Sequence, residues 1–204
     1  DGLEALFVFF ISLLRRAGGL RRRRLRLRDP LPTVKIWTDA AWEAGRGSVA
    51  FVVYFPRHRD PLQPWRWVPG RYVHGSADVP GAVLERFVQR RQYIGQLELL
   101  AAVAGYYSVP ELRGRRVVHW IDNTSAIAAL VKGYSSAPDS LRILHAFAAF
   151  SLGIEASSWF LWVPSKANIA DLPSRGDFEL LRELGSVEVP FEFPPFEAWD
   201  RPAA

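Results

Sequence analysis

The chain predicts an α/β protein: a mixed five-stranded sheet, made of a three-strand antiparallel meander plus parallel strands and flanked by helices. Three observations lead there. Strand-like runs crowd between Thr33 and Val73 with short connections that contain glycine. From "RRVVHWIDN" onward, strands alternate with helical periodicity, the pattern of parallel strands joined by crossovers. The apolar share of 49% in 204 residues supplies one hydrophobic core of ordinary size.

The elements follow in order. In "TVKIWTDAAW", Val34, Ile36 and Thr38 alternate with Lys35 and Trp37, which predicts a first strand with Asp39 near its end. "GSVAFVVYFP" is a second apolar strand entered through Gly45 and Gly47, and "WRWVPGRYV" a third. "DVPGAVLERFVQRRQYIGQLELLAAVAGYYSVPEL" reads as two helices. The first carries Val83, Leu84, Phe87 and Val88; the second starts near Gly95 and stops before Pro110. In the second, Leu97, Leu100, Ala101 and Ala104 form an inward stripe with Glu98 close beside it. Val117 to Ile121 is the fourth strand and ends at Asp122. "NTSAIAALVKG" is a helix capped by Asn123 or Thr124 and stopped by Gly133. "SLRILHAFAAFSLG" is a further amphipathic helix, "SSWFLWV" the last strand, and "NIADLPSRG" a turn into a short helix.

These elements divide the chain into an N-terminal apolar and basic segment (1–32), a folded domain (33–177) and a C-terminal tail (178–204). The apolar run Leu3 to Leu14 is about half the roughly 20 residues needed to span a bilayer, and its charges follow it, unlike a signal peptide. No membrane partner is expected. The run with Arg21, Arg22, Arg23, Arg24, Arg26 and Arg28 reads as a linker ended by Asp29, Pro30 and Pro32. The lack of an initial Met suggests a fragment of a longer protein.

The net charge of +5 and pI near 9.9 favour a polyanionic partner, because Lys and Arg facing phosphates release counterions. Zero cysteines exclude disulfides and thiolate metal sites and fit an intracellular, reducing compartment. Any metal must therefore be held by oxygen or imidazole.

Asp39, Glu98, Asp122 and Asp171 then stand at corresponding places, three after or near strand ends and one early in a helix. Singly, each has an ordinary explanation as a cap or a strand end. Jointly they suggest a site, since neighbouring parallel strands bring their carboxyl ends to one edge. Repulsion among four carboxylates is tolerable when cations neutralise it.

"WTDAAW", "QLELLA", "IDNTSA" and "VPSKANIADLPSRG", in that order, resemble the acidic motifs of the ribonuclease H family, specifically the domain found in retroelement reverse transcriptases. The last segment is similar to Ty3-type and DIRS-type elements; "YIGQLELLA" and "DNTSAIAALVKG" are closest to the DIRS-like group. The resemblance runs from Val34 to about Gly176. It implies a ribonuclease H-like fold and metal-assisted hydrolysis of the RNA strand of an RNA–DNA hybrid. It also implies two Mg²⁺ ions, replaceable by Mn²⁺, and a reverse transcriptase domain upstream in the same polyprotein.

By that resemblance Asp39 bridges the metals, Glu98 and Asp122 hold one, and Asp171 holds the other. Gln96, Asn123, Lys166, Asn168 and Arg175 become candidate contacts to nucleic acid, with Arg90 and Arg91 as more ordinary solvated charges. The loop before Asp171 lacks the histidine of the cellular enzymes. Structural roles are expected for His58, His74, His119 and His145. Two alternatives are a catalytically weak or inactive binding or tethering module, and a transposase or integrase-like core, which carries its final glutamate on a long helix.

Overall fold

A computed structural model describes residues 31–195 and, upstream of them, Ile11 alone. The arginine run and the end of the chain after residue 195 lie outside the described residues, as does all of the N-terminal apolar run except Ile11.

Strand β1 (Val34–Glu43) turns through Ala44 and Gly45, at φ 49° and 80°, into β2 (Arg46–Phe55). Two positive φ values suit the twist of a two-residue hairpin, and glycine takes the second at no steric cost. A small antiparallel ribbon of β3 (His58–Arg59) and β4 (Trp67–Val68) leaves the sheet before β5 (Arg71–Asp78) pairs antiparallel with β2. Helix α1 (Gly81–Leu84) and helix α2 (Ile94–Ser108) follow. Next come β6 (Arg116–Ile121), α3 (Thr124–Lys132), α4 (Pro138–Ile154) and β7 (Ser157–Trp162). Two short helices, α5 (Asp171–Ser174) and α6 (Glu179–Glu183), precede β8 (Val187–Glu188).

The sheet has six strands in the order β7-β6-β1-β2-β5-β8. The meander β1-β2-β5 is antiparallel, whereas β6 is parallel to β1, β7 to β6, and β8 to β5. The class is α/β with the mixed sheet that the strand spacing predicts.

Four expectations need correcting. The third meander strand is Arg71–Asp78, because Pro69 and Gly70 break "WRWVPGRYV" and its first half pairs with β3 instead. The first helix is a single turn: Phe87 is buried, but Val88 is half exposed and its N–H goes to the Asp139 carboxylate. Asp39 sits in the middle of β1, since pairing with β2 continues to Glu43 opposite Arg46. The sheet has six strands and not five, because β8, within the segment read as a tail, pairs with β5. There Phe191 packs on Phe51 with ring centroids 5.5 Å apart.

Helix α2 fills the core on one sheet face, buried from Gln96 through Tyr106. Gly105 is what permits this closeness, as a Cβ there would come within 2.8 Å of the Ile36 Cδ1. The opposite face is covered over Val52 by Ala170 and Leu181, from the segment that contains α5 and α6. His119, fully buried in β6, lies between the Thr38 hydroxyl at 2.9 Å and the Tyr106 hydroxyl at 3.3 Å. Burial lowers its pKa to about 3, so it is a neutral structural imidazole. Among the described residues no helix is long and apolar enough to cross a membrane.

Candidate metal and nucleic-acid site

The register of the parallel strands builds the site. Pairing of β1 with β6 ends at Trp37 opposite Trp120, and each strand carries its aspartate two residues further on, Asp39 and Asp122. Both therefore lie at the same edge. Helix α2 crosses beneath and delivers Glu98 in its second turn. Ligand atoms of Asp39, Glu98 and Asp122 all fall within 4.8 Å of one another. Asp39 and Glu98 are buried and Asp122 is half-buried.

Burial raises the Asp39 carboxyl to about 7. The Ser174 hydroxyl opposes that shift, and the Asp122 and Asp171 charges add to it. Glu98 is pushed to about 9, first by burial and then by the charges of Asp39 and Asp122, against a hydrogen bond from the Ala40 backbone. Two oxygens of the group, Glu98 Oε2 and Asp122 Oδ1, are buried without a hydrogen-bond partner. Orphaned carboxylate oxygens are costly in a low dielectric unless a cation or proton meets them. An all-oxygen donor set of this kind fits a hard divalent cation, and these three residues would hold it.

Asp171 stands outside that group. Its Oδ1 accepts from Arg175 Nε at 2.9 Å, and Arg175 Nη1 reaches Glu43 Oε1 at the same distance. Its charge is nonetheless felt by both Asp39 and Glu98.

Of the five expected nucleic-acid contacts, Arg175 and Lys166 are exposed. Asn168 is buried: its Nδ2 donates to the Thr38 carbonyl at 2.9 Å and to Asp39 Oδ1 at 3.3 Å, so it positions the aspartate. Asn123 caps α3, its side-chain oxygen accepting from the N–H groups of Ser125 and Ala126. Gln96 is also buried, its amide donating to Ser140 Oγ at 3.2 Å. Arg90 is structural as well, paired with the buried Asp139.

Ser174 escaped the sequence reading although it lies inside "ADLPSRG". Its hydroxyl donates to Asp39 Oδ2, and its carbonyl accepts from Ser48. Nothing in the local pattern marks it, because the contact spans 135 residues. An open cleft of about 720 Å³ abuts it, with Glu43, Arg46 and Arg175 among its lining residues. Arg46 was likewise not anticipated.

The chain matches no protein-family profile and no curated protein sequence. Among solved structures it is similar to RNase H1 from the halophilic archaeon Halobacterium salinarum NRC-1. Identity is 16% over 67% of this chain and 89% of that one, at a TM-score of 0.41. It is also similar to the N-terminal RNase H domain of rv2228c from Mycobacterium tuberculosis, with 16% identity, 67% and 85% coverage, and a TM-score of 0.42. LC11-RNase H1 in complex with an RNA/DNA hybrid gives 12% identity, 67% and 89% coverage, and 0.41.

Proposed function

We propose that this chain is a metal-dependent endonuclease of the ribonuclease H type, hydrolysing the RNA strand of RNA–DNA hybrids within a retroelement reverse transcriptase polyprotein. The carrying observation is the carboxylate trio with its two orphaned oxygens, set beside a cleft lined by Arg46 and Arg175. The retroelement context, with its upstream reverse transcriptase domain, rests on the four ordered motifs of the sequence.

When bound, Mg²⁺ supplies charge neutralisation and Lewis acidity at a phosphodiester. The chain's own residues do the rest. Ser174 and Asn168 each hold one oxygen of Asp39, which fixes that carboxylate's orientation before any substrate arrives. Arg46 and Arg175 line the cleft together with Glu43 and Asp78, and Arg175 is already paired with Glu43 and Asp171, which leaves Arg46 as the candidate phosphate contact there. An integrase-like core is disfavoured because the helices described after β7 span only four and five residues.

The test is cleavage of a labelled RNA–DNA hybrid beside RNA–RNA and DNA–DNA duplexes of the same sequence, in Mg²⁺ and in EDTA. Only the RNA of the hybrid should be cut, and only with the metal; failure with both Mg²⁺ and Mn²⁺ would leave a binding module.

We also propose Asp171 as the fourth carboxylate of the site, exchanging its pairing with Arg175 for the metal when the cleft is loaded. Asp171→Asn should then raise the Mg²⁺ concentration needed for half-maximal cleavage. Thermal stability should change little, since the pair it breaks is partly exposed and worth about 0 to 1 kcal/mol. An unaltered metal requirement together with a marked fall in melting temperature would make Asp171 a helix-starting residue and nothing more.

A further inference from the structure

The end of the sheet opposite the acids carries a second, differently built surface. Between β2 and β5, residues 56–70 leave the sheet as the β3–β4 ribbon, with His58 opposite Val68 and Arg59 opposite Trp67. Asp39 pairs with Ala50, whereas the ribbon springs from Phe55, five residues along β2. That separates its root from the acids by about 16 Å.

Hydrogen bonds and close packing give the ribbon a defined shape. Asp60 N–H donates to the Arg66 carbonyl at 2.9 Å, and Arg66 N–H to that of Gln63 at 2.8 Å. The Asp60 carboxylate accepts from the N–H groups of Leu62 and Gln63, and Arg59 Nη1 donates to the Pro64 carbonyl at 3.1 Å. At its root a Cβ on Gly70 would stand 3.0 Å from the Tyr54 hydroxyl and 3.2 Å from the Arg57 nitrogen, so the ribbon closes tightly onto the sheet here.

The ribbon's outward display is specific. The Arg57 and Arg59 guanidiniums lie 4.4 and 4.2 Å from the Trp67 ring centroid. Beside the ribbon, Arg71 of β5 lies 4.5 Å from the Phe55 ring centroid and is paired with Glu111 at 3.1 Å. Trp65 is 76% exposed. Asp60 is the one acid from 56 to 70, and its carboxylate is taken up by backbone N–H groups. The surface is therefore cationic, with an aromatic face open to solvent.

From this we infer that the ribbon binds single-stranded nucleic acid, Trp65 stacking on an unpaired base while Arg57 and Arg59 contact the neighbouring phosphates. An indole presented on a narrow ribbon needs a base that is not already stacked in a duplex. Trp67 holds the guanidiniums in place, which lowers the entropy lost on meeting a phosphate. A lipid surface is the competing partner for exposed Trp and Leu beside arginine. The ribbon's exposed apolar area, however, is confined to Leu62, Trp65 and a half-exposed Trp67 that carries two guanidiniums, which is not the continuous apolar face of an interfacial anchor.

The experiment uses the full chain in EDTA and follows the fluorescence anisotropy of a labelled 20-nucleotide oligo(dT), alone and annealed to oligo(dA), across a salt series. The single strand should bind more tightly than the duplex. Trp65→Ala should weaken it about 5- to 100-fold, while Trp65→Phe keeps most of the affinity. The double variant Arg57→Gln with Arg59→Gln should flatten the slope of log affinity against log salt by about 1.4, from roughly 0.7 per phosphate released. Trp65→Ala binding like the unaltered chain would overturn the inference. So would equal affinity for the duplex, or a Trp65 dependence seen only with phosphatidylserine vesicles.

Discussion

Asp122→Asn should reduce cleavage of the RNA strand roughly 10²- to 10⁴-fold while leaving hybrid affinity and melting temperature close to those of the unaltered chain. The substitution keeps volume and shape but removes one of three charges that would hold the cation, and metal charge stabilisation is worth several kcal/mol at a phosphodiester. Asp122 suits this test better than its neighbours. It is half-buried, and its Oδ1 has no hydrogen-bond partner, so the new amide disrupts no protein contact at that oxygen. Asp39, by contrast, accepts from both Ser174 and Asn168, so an asparagine there would require the Ser174 hydroxyl to turn from donor to acceptor. Single-turnover cleavage, filter binding and a melting curve on the same preparation separate the possibilities. Cleavage at the normal rate would remove Asp122 from the site; lost binding together with lost stability would make its role structural.

The metal-free protein should lose stability as pH rises, and a divalent cation should restore it. Asp39 and Glu98 have folded-state pKa values raised from 3.8 to about 7 and from 4.5 to about 9, burial being the largest cause in each. A raised pKa means that the folded state holds its proton more tightly. The stabilisation is therefore complete below about pH 4 and is lost progressively as pH climbs through 7 toward 9. Each tenfold gain in proton affinity on folding is worth about 1.4 kcal/mol, so the two shifts together set an upper bound on the order of 10 kcal/mol for the loss.

In EDTA the melting temperature should thus be lower at pH 8 than at pH 5. Mg²⁺ should raise it more at pH 8, because the cation then competes with fewer protons. Glu98→Gln removes the buried charge and should raise the EDTA melting temperature at pH 8 by roughly 3 to 10 °C, while leaving pH 5 nearly unchanged. A melting temperature insensitive to pH in EDTA, or a Glu98→Gln variant less stable than the parent at pH 8, would contradict this electrostatic account.

What the sequence alone determined is what depends on neighbours along the chain. Alternation in "VKIW" and "RVVHWI" defined β1 and β6, the Asn123 cap and Gly133 stop defined α3, and the periodic apolar residues placed Glu98 on a core helix. Asp39 and Asp122, read as ending neighbouring parallel strands, were enough to anticipate one edge of the sheet, although β1 runs on past Asp39 to Glu43.

Tertiary structure decided everything that joins distant segments. Ser174 and Asn168 reach Asp39 across 135 and 129 residues, and no local periodicity encodes such a contact. Nothing local tells that Gln96 is buried, since α4 is what brings Ser140 against it. β8, only two residues long, exists because β5 offers it an edge. "WRWVPGRYV" has strand propensity on both sides of Pro69 and Gly70, yet Trp67 and Val68 pair with β3 while Arg71 to Val73 pair with β2. Propensity says that a segment will be extended, but backbone hydrogen bonds choose its partner, and that choice depends on where the rest of the chain has already placed an open edge.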